Sequence, residues 1–191
     1  MLESDLDAAL RRARGGDEAG FLVLWRALQP RLLRFLRVYG GGGFEDAADA
    51  AAETWLQVVR DLDGFRGEAA DFRRWLFTIA RHRAMDAGRS RALRPLVLVG
   101  DARDLAADRP AASAEEQAMA QLSTDEALAL VRRLPPAQAE LVALRVLADL
   151  DVSAVAAIVG SSPGAVRVGV HRALKALALL AAHPDLTPLE A

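Results

Sequence analysis

Cysteine is absent from the 191-residue chain, which excludes disulfides and thiolate metal sites and fits a reducing cytosol. Aromatic residues are scarce, at 5%, and β-branched runs are short, so little favours strands. No stretch of ~18 uncharged apolar residues occurs, and no membrane span is expected. The opening Met1-Leu2-Glu3-Ser4-Asp5 is acidic and lacks the basic and apolar regions of a signal peptide. A soluble, cytoplasmic protein is the expectation.

What is present is alanine and leucine in quantity, within a composition 52% hydrophobic and 26% charged. Such a chain can bury a core, and its helix formers point to an all-α protein. The length suits one ordinary domain or two small ones. The formal net charge of −2 hides strong segregation. Between Phe72 and Arg94 stand Arg73, Arg74, Arg81, Arg83, Arg89, Arg91 and Arg94 against one acid, Asp86. From Gly100 to Glu126 there are seven acids and two arginines. From Val152 to Pro184 there is no acid, while Arg167, Arg172 and Lys175 supply positive charge. Two basic blocks separated by an acidic one imply two anion-facing surfaces on a jointed chain.

Apolar spacing divides the chain further. Leu6 and Leu10, then Phe21, Leu24, Trp25 and Leu28, recur at helical steps. Pro30 is expected to bend this run or restart it before Leu32, Leu33, Phe35 and Leu36, and Gly40 to Gly43 end it. A helix from about Phe44 to Leu62 is expected to bury Trp55, Leu56, Val58 and Val59. After a loop at Asp63 to Gly67, another helix runs from about Ala70 to Arg91, with Phe72, Trp75, Leu76, Ile79 and Met85 inward and most arginines outward. Residues 95–122, rich in small residues, acids and proline, suit a flexible linker, so two small helical domains are expected: 1–94 and 123–183, with a short tail at 184–191. In the second, Ser123 or Thr124 caps a helix to Arg133, Pro136 opens one reaching Ala148, and a short helix from Asp151 ends at Gly160. Ser161 or Ser162 then caps a long helix with Pro163 in its first turn.

The segment Val152 to Arg167 has the makings of a helix-turn-helix. Two helices crossing steeply over a short turn need small residues at the crossing, here Ala156 and Ala157, and a turn residue tolerant of positive φ, here Gly160. Val155, Ile158, Val166 and Val170 supply apolar anchors. The second helix would present Ser162, Arg167, His171, Arg172 and Lys175 to phosphates and base edges in a major groove. The plainer reading is a helical hairpin with a solvated basic side; the acid-free stretch favours DNA.

Leu134-Pro135-Pro136-Ala137-Gln138-Ala139-Glu140-Leu141, then Leu144-Arg145 and the helix-turn-helix through His171-Arg172-Ala173-Leu174-Lys175-Ala176-Leu177, resembles region 4 of bacterial sigma factors of the extracytoplasmic-function (ECF) type. The first block resembles region 2 of that family at Leu32-Leu33-Arg34-Phe35, at Glu45-Asp46-Ala47-Ala48-Asp49 with Glu53-Thr54-Trp55, at Phe65-Arg66-Gly67-Glu68, and from Phe72 to Arg81 with Asp86. The resemblance covers most of the chain, in the family's order. It implies a subunit that joins core RNA polymerase and directs it to promoter DNA, with no enzymatic activity and no cofactor or metal of its own. Asp46, Asp49, Glu53, Trp55 and Gln57 would dock on the polymerase, although acids on a helix can also be merely solvated. Phe65, Arg66, Arg73, Arg74, Arg81, His82 and Arg83 would lie near the −10 strand as it melts and a base flips out. Helical spacing makes Phe72 and Trp75 core residues before stacking platforms, and Phe65 suits either role. The helix from Ser162 to Lys175 would read the −35 element. Val168-Gly169 departs from the family's polar-then-basic pair, and Gly169 is expected to remove a phosphate contact. Two tethered domains also invite clamping by an anti-sigma factor.

No catalytic constellation competes. His82, His171 and His183 lie on separate elements, and Gly40 to Gly43 lacks the Lys-Ser/Thr of a phosphate loop. The alternatives are a stand-alone regulator binding duplex DNA through the helix-turn-helix, and a helical adaptor whose basic faces meet acidic proteins.

Overall fold

The computed structural model describes residues 3–40, 43–92 and 124–183, and every element in them is helical. The expected linker and tail lie outside the described residues.

Helix α1 (Glu3–Arg14) carries Glu3 and Asp5 in its first turn and Arg11, Arg12 and Arg14 in its last, which complements the helix dipole at both ends. Its inward stripe is Leu6, Ala9, Leu10 and Ala13. Gly16, at φ +81°, turns the chain, and the Asp17 carboxylate caps α2 (Glu18–Tyr39) by accepting from the Ala19 N–H at 2.9 Å. At Gly20 a Cβ would stand 2.7 Å from Arg12 Cβ and 2.8 Å from the Ala9 carbonyl oxygen, so glycine lets α1 and α2 cross closely. Pro30 does not restart the run as a new helix; α2 continues through it. Pro30 and Arg26 are both exposed, so water can serve the carbonyl that the missing N–H leaves free.

Helix α3 (Phe44–Asp61) leads through a 3-10 turn (Leu62–Gly64) into α4 (Ala69–Ala92). The first block's core joins Leu24, Leu28, Leu32, Phe35 and Leu36 of α2 to Ala51 and Val58 of α3 and to Phe72, Leu76, Phe77 and Ala80 of α4. Phe77 meets Phe35 edge-on, ring centres 5.5 Å apart.

The second block holds α5 (124–132), α6 (Pro136–Val142), α7 (Val152–Val159) and α8 (Pro163–Ala182). The expected Ala137–Ala148 helix is α-helical only to Val142 and then widens into a π turn, Ala143–Leu147. Asp149 follows at φ +55°, unusual for a residue with a side chain, and its carboxylate pairs with Arg31 of α2 at 3.2 Å. The π turn and α6 pack on α2, and α7 packs on α4. Arg37 of α2 also pairs with Asp125 of α5 at 2.7 Å.

Two glycines should respond oppositely to alanine. Gly20→Ala is expected to lower unfolding free energy by about 1–3 kcal/mol through overpacking. Gly88→Ala, with nothing within 4 Å of its added methyl, should raise it by roughly 0.5–1 kcal/mol through helix propensity. Urea unfolding followed by circular dichroism measures both.

Candidate nucleic-acid interface

Helices α7 and α8 meet at 99° across a break of four residues or fewer, the steep crossing of a helix-turn-helix. Local chemistry fixes each end. Asp151 caps α7 by accepting from the Ala154 N–H at 2.8 Å. Gly160 ends α7 in the left-handed region, at φ +67°, where its N–H donates to the Ala156 carbonyl. Ser162, of the two serines considered, caps α8 by accepting from the Ala165 N–H at 3.2 Å, and Pro163 opens the first turn. Val155, Ile158 and Val166 are buried between the helices and Val170 half-buried. The small buried residues of α7 are Ala154 and Ala156; Ala157 faces water.

Arg167, His171, Arg172 and Lys175 are exposed along α8, as is Ser162, whose hydroxyl serves the cap. Among the described residues, no carboxylate lies within ion-pairing distance of Arg167, Arg172 or Lys175. Gly169 is not on this surface. A Cβ there would stand 2.5 Å from Leu141 Cδ1, so Gly169 lies against α6. The expected loss of a phosphate contact is therefore a misplacement: the glycine serves helix packing.

The residues expected near a melted strand divide differently. In the loop, Phe65 stacks on Trp75 at 5.0 Å and meets Phe72 edge-on at 5.7 Å. The Arg66 guanidinium donates to the Asp63 and Phe65 carbonyls, both at 2.8 Å, and braces the turn. Arg74 is exposed beside Asp71, at 3.0 Å. His82 is exposed one heptad from Trp75, on the same side of α4. The other three arginines point elsewhere. Arg73 pairs with Glu3 of α1, 2.5 Å away. Arg83 donates to Gln57 of α3 at 2.8 Å.

Arg81 reaches into the second block and pairs with Glu140 of α6 at 2.5 Å, while its guanidinium lies 5.9 Å from the centre of the Tyr39 ring. The Glu140 hydrogen bond raises the Arg81 pKa above its ordinary value. Burial, and then the Glu140 charge, push the Tyr39 phenol up.

Sequence reasoning missed the part played by α1. Its Asp7 carboxylate accepts from the Ala69 N–H at 2.6 Å, 62 residues away in the chain, and so caps α4 where the loop ends. Asp7 and Glu3 together hold the loop and the first turns of α4 in place. Nothing local marks Asp7, because its partner is a backbone group on a distant element.

On α3, Asp46, Asp49, Glu53 and Gln57 follow at three- and four-residue steps along one face. Asp46 also accepts from the Gly43 N–H at 3.2 Å. Trp55 lies on the opposite face: it is buried, its indole N–H donates to Gln29 at 2.7 Å, and Phe21 meets it edge-on. Leu56 and Val59, expected to be buried, are 64% and 56% exposed and add apolar surface beside the acids. Leu56 stands three residues from Glu53 and seven from Asp49, so helical period alone marks its side.

Among the described residues no cluster of three or more histidines and acids could hold a metal ion, and no single helix is long and apolar enough to cross a membrane.

Residues 24–94 match the family described as Sigma-70 region 2, and residues 124–177 match Sigma-70, region 4. The ECF RNA polymerase sigma factor BldN of Streptomyces coelicolor is 34% identical over 171 residues, covering 90% of this chain; the chain spans 64% of BldN. SigD of Mycobacterium tuberculosis, also an ECF RNA polymerase sigma factor, is 33% identical, covering 90% of this chain and 82% of SigD. ShbA of Streptomyces griseus, of the same description, is 33% identical, covering 92% and 95%. A solved structure of CnrH in complex with the cytosolic domain of CnrY aligns with a TM-score of 0.64 at 23% identity, over 93% of this chain and 99% of CnrH, and shows the same fold.

Two substitutions test these placements. Gly169→Arg should lower the unfolding midpoint and leave affinity for duplex DNA no tighter, because position 169 faces Leu141. Asp7→Ala should cost about 1 kcal/mol at the α4 cap and loosen the loop, seen as faster amide exchange at residues 65–69 with exchange in α7 unchanged.

Proposed function

The chain belongs to the ECF RNA polymerase sigma factors, and from that premise we propose that it binds core RNA polymerase in the cytoplasm, carries it to promoters and helps open them. The observation that carries this reading is the outward side of α8: a capped helix, steeply crossed by α7, whose Arg167, Arg172 and Lys175 pair with no acid among the described residues. Unpaired cations on a projecting helix suit the phosphates and base edges of a major groove. This surface would take the −35 element.

The aromatic stack of Phe65 on Trp75, with Phe72 beneath, offers a face for an unpaired base of the −10 element. Arg66, Arg74 and His82 are exposed around it and would meet the strand. Arg73, Arg81 and Arg83 reach a strand only by exchanging Glu3, Glu140 or Gln57 for phosphate. For Arg81 that exchange also parts α4 from α6. The α3 face, with Asp46, Asp49, Glu53, Gln57 and the exposed Leu56, would dock on a basic and apolar surface of the polymerase, with Trp55 supporting it from behind. An anti-sigma partner would need to cover this face and the outer side of α8. The polymerase performs the chemistry; this subunit supplies recognition and strand capture.

The test is whether the purified chain, added to bacterial core RNA polymerase, starts transcripts at discrete sites on genomic DNA of its source organism. Discrete starts that vanish without the protein are expected. Tight duplex binding by the protein alone, with no polymerase complex, would replace this reading with a stand-alone regulator.

A further inference from the structure

The outermost line of α8 holds Gly164, Val168, His171 and Lys175, at steps of four, three and four, opposite the buried Val166, Ala173 and Leu180. Arg167 and Arg172 flank this line on its two sides. Val168 is 51% exposed, although the cations around it are those this helix offers to DNA. No packing demand explains an aliphatic residue there. The neighbouring Gly169 is pressed against Leu141, which fixes the rotation of α8 and keeps Val168 pointing outward. Ahead of it, a Cβ at Gly164 would meet nothing nearer than Ser162 Oγ at 3.9 Å, so the first turn is uncrowded and the backbone can approach a groove closely.

We propose that Val168 is a specificity residue that reads the 5-methyl group of a thymine in the −35 element. This rests on the sigma-factor reading. Base edges in the major groove present hydrogen-bond donors and acceptors, and one apolar group, the thymine methyl. A valine laid against a cytosine or adenine amino group would strip its water and return no hydrogen bond. Against the methyl it removes apolar surface from water. Valine is also stiff at χ1, so its two methyls are already positioned when the helix enters the groove. Arg167 and Arg172, one on each side, would hold the register through phosphates or guanine edges while Val168 sets the base between them.

The test uses the holoenzyme formed with core polymerase. Promoters are first taken from transcripts that require the protein, and each thymine of the shared upstream element is then replaced in turn by deoxyuridine, which removes only the methyl. One position should weaken binding about three- to fivefold, the worth of one buried methyl. Val168→Ala should bind thymine and uracil at that position equally, and Val168→Ile should keep the discrimination. Both variants should unfold at nearly the wild-type midpoint, because position 168 is exposed. If no single uracil weakens binding, or if Val168→Ala discriminates as wild type does, the proposal is overturned while the sigma reading stands. If no polymerase-dependent starts appear, the sigma reading falls and takes the proposal with it.

Discussion

Helix α2 is buried on several sides at once, and the rest of the molecule is arranged around it. Leu24, Leu28, Leu32, Phe35 and Leu36 are nearly inaccessible, and α1, α3, α4, α6 and the π turn all pack on this helix. Its length, 22 residues, lets one rod serve both blocks. Continuity through Pro30 matters for that reason. A break there would separate the half that receives α1 at Gly20 from the half that bears Arg31, Arg37 and Tyr39 toward the second block. Burial of so much aliphatic surface on one helix is the main source of stability available to a chain without disulfides.

On that frame, the distribution of cations divides the work. Arginines of the first block are largely engaged: Arg73 with Glu3, Arg81 with Glu140, Arg83 with Gln57, Arg31 with Asp149 and Arg37 with Asp125. Among the described residues, those of α8 have no acidic partner. A cation already paired must give up its partner before it meets phosphate, whereas an unpaired one gains the whole interaction. The acid-free stretch of sequence thus becomes an exposed basic surface on α8. On the arginine-rich α4, Arg73, Arg81 and Arg83 are engaged within the fold, while Arg74 is exposed beside Asp71.

The loop before α4 is held in place by contacts from several directions. Phe65 rests on Trp75, Arg66 braces the turn through two carbonyls, and Asp7 caps the helix from a different element. A flexible loop would have to be ordered as it took up a base; one held from three sides has already lost that freedom.

The ends of α7 and α8 and the helix-turn-helix were legible in the sequence because they depend on near neighbours; the passage of α2 through Pro30 and the π turn after α6 were not. Asp151 and Ser162 cap backbone groups three residues on, and Gly160 is the residue that tolerates the left-handed turn between them. The acid-free charge of α8 is likewise a property of the chain itself. Tertiary structure alone decided which way the residues of α3 and α4 point. Several sides of α4 are covered by α1, α2, α3 and α7, so no single apolar stripe shows where its arginines go. The same holds for Trp55, whose partners Gln29 and Phe21 lie on α2, and for Gly169, which reads as a lost contact until Leu141 is found against it. Local sequence sets which residues share a face; only the packed chain sets what that face meets.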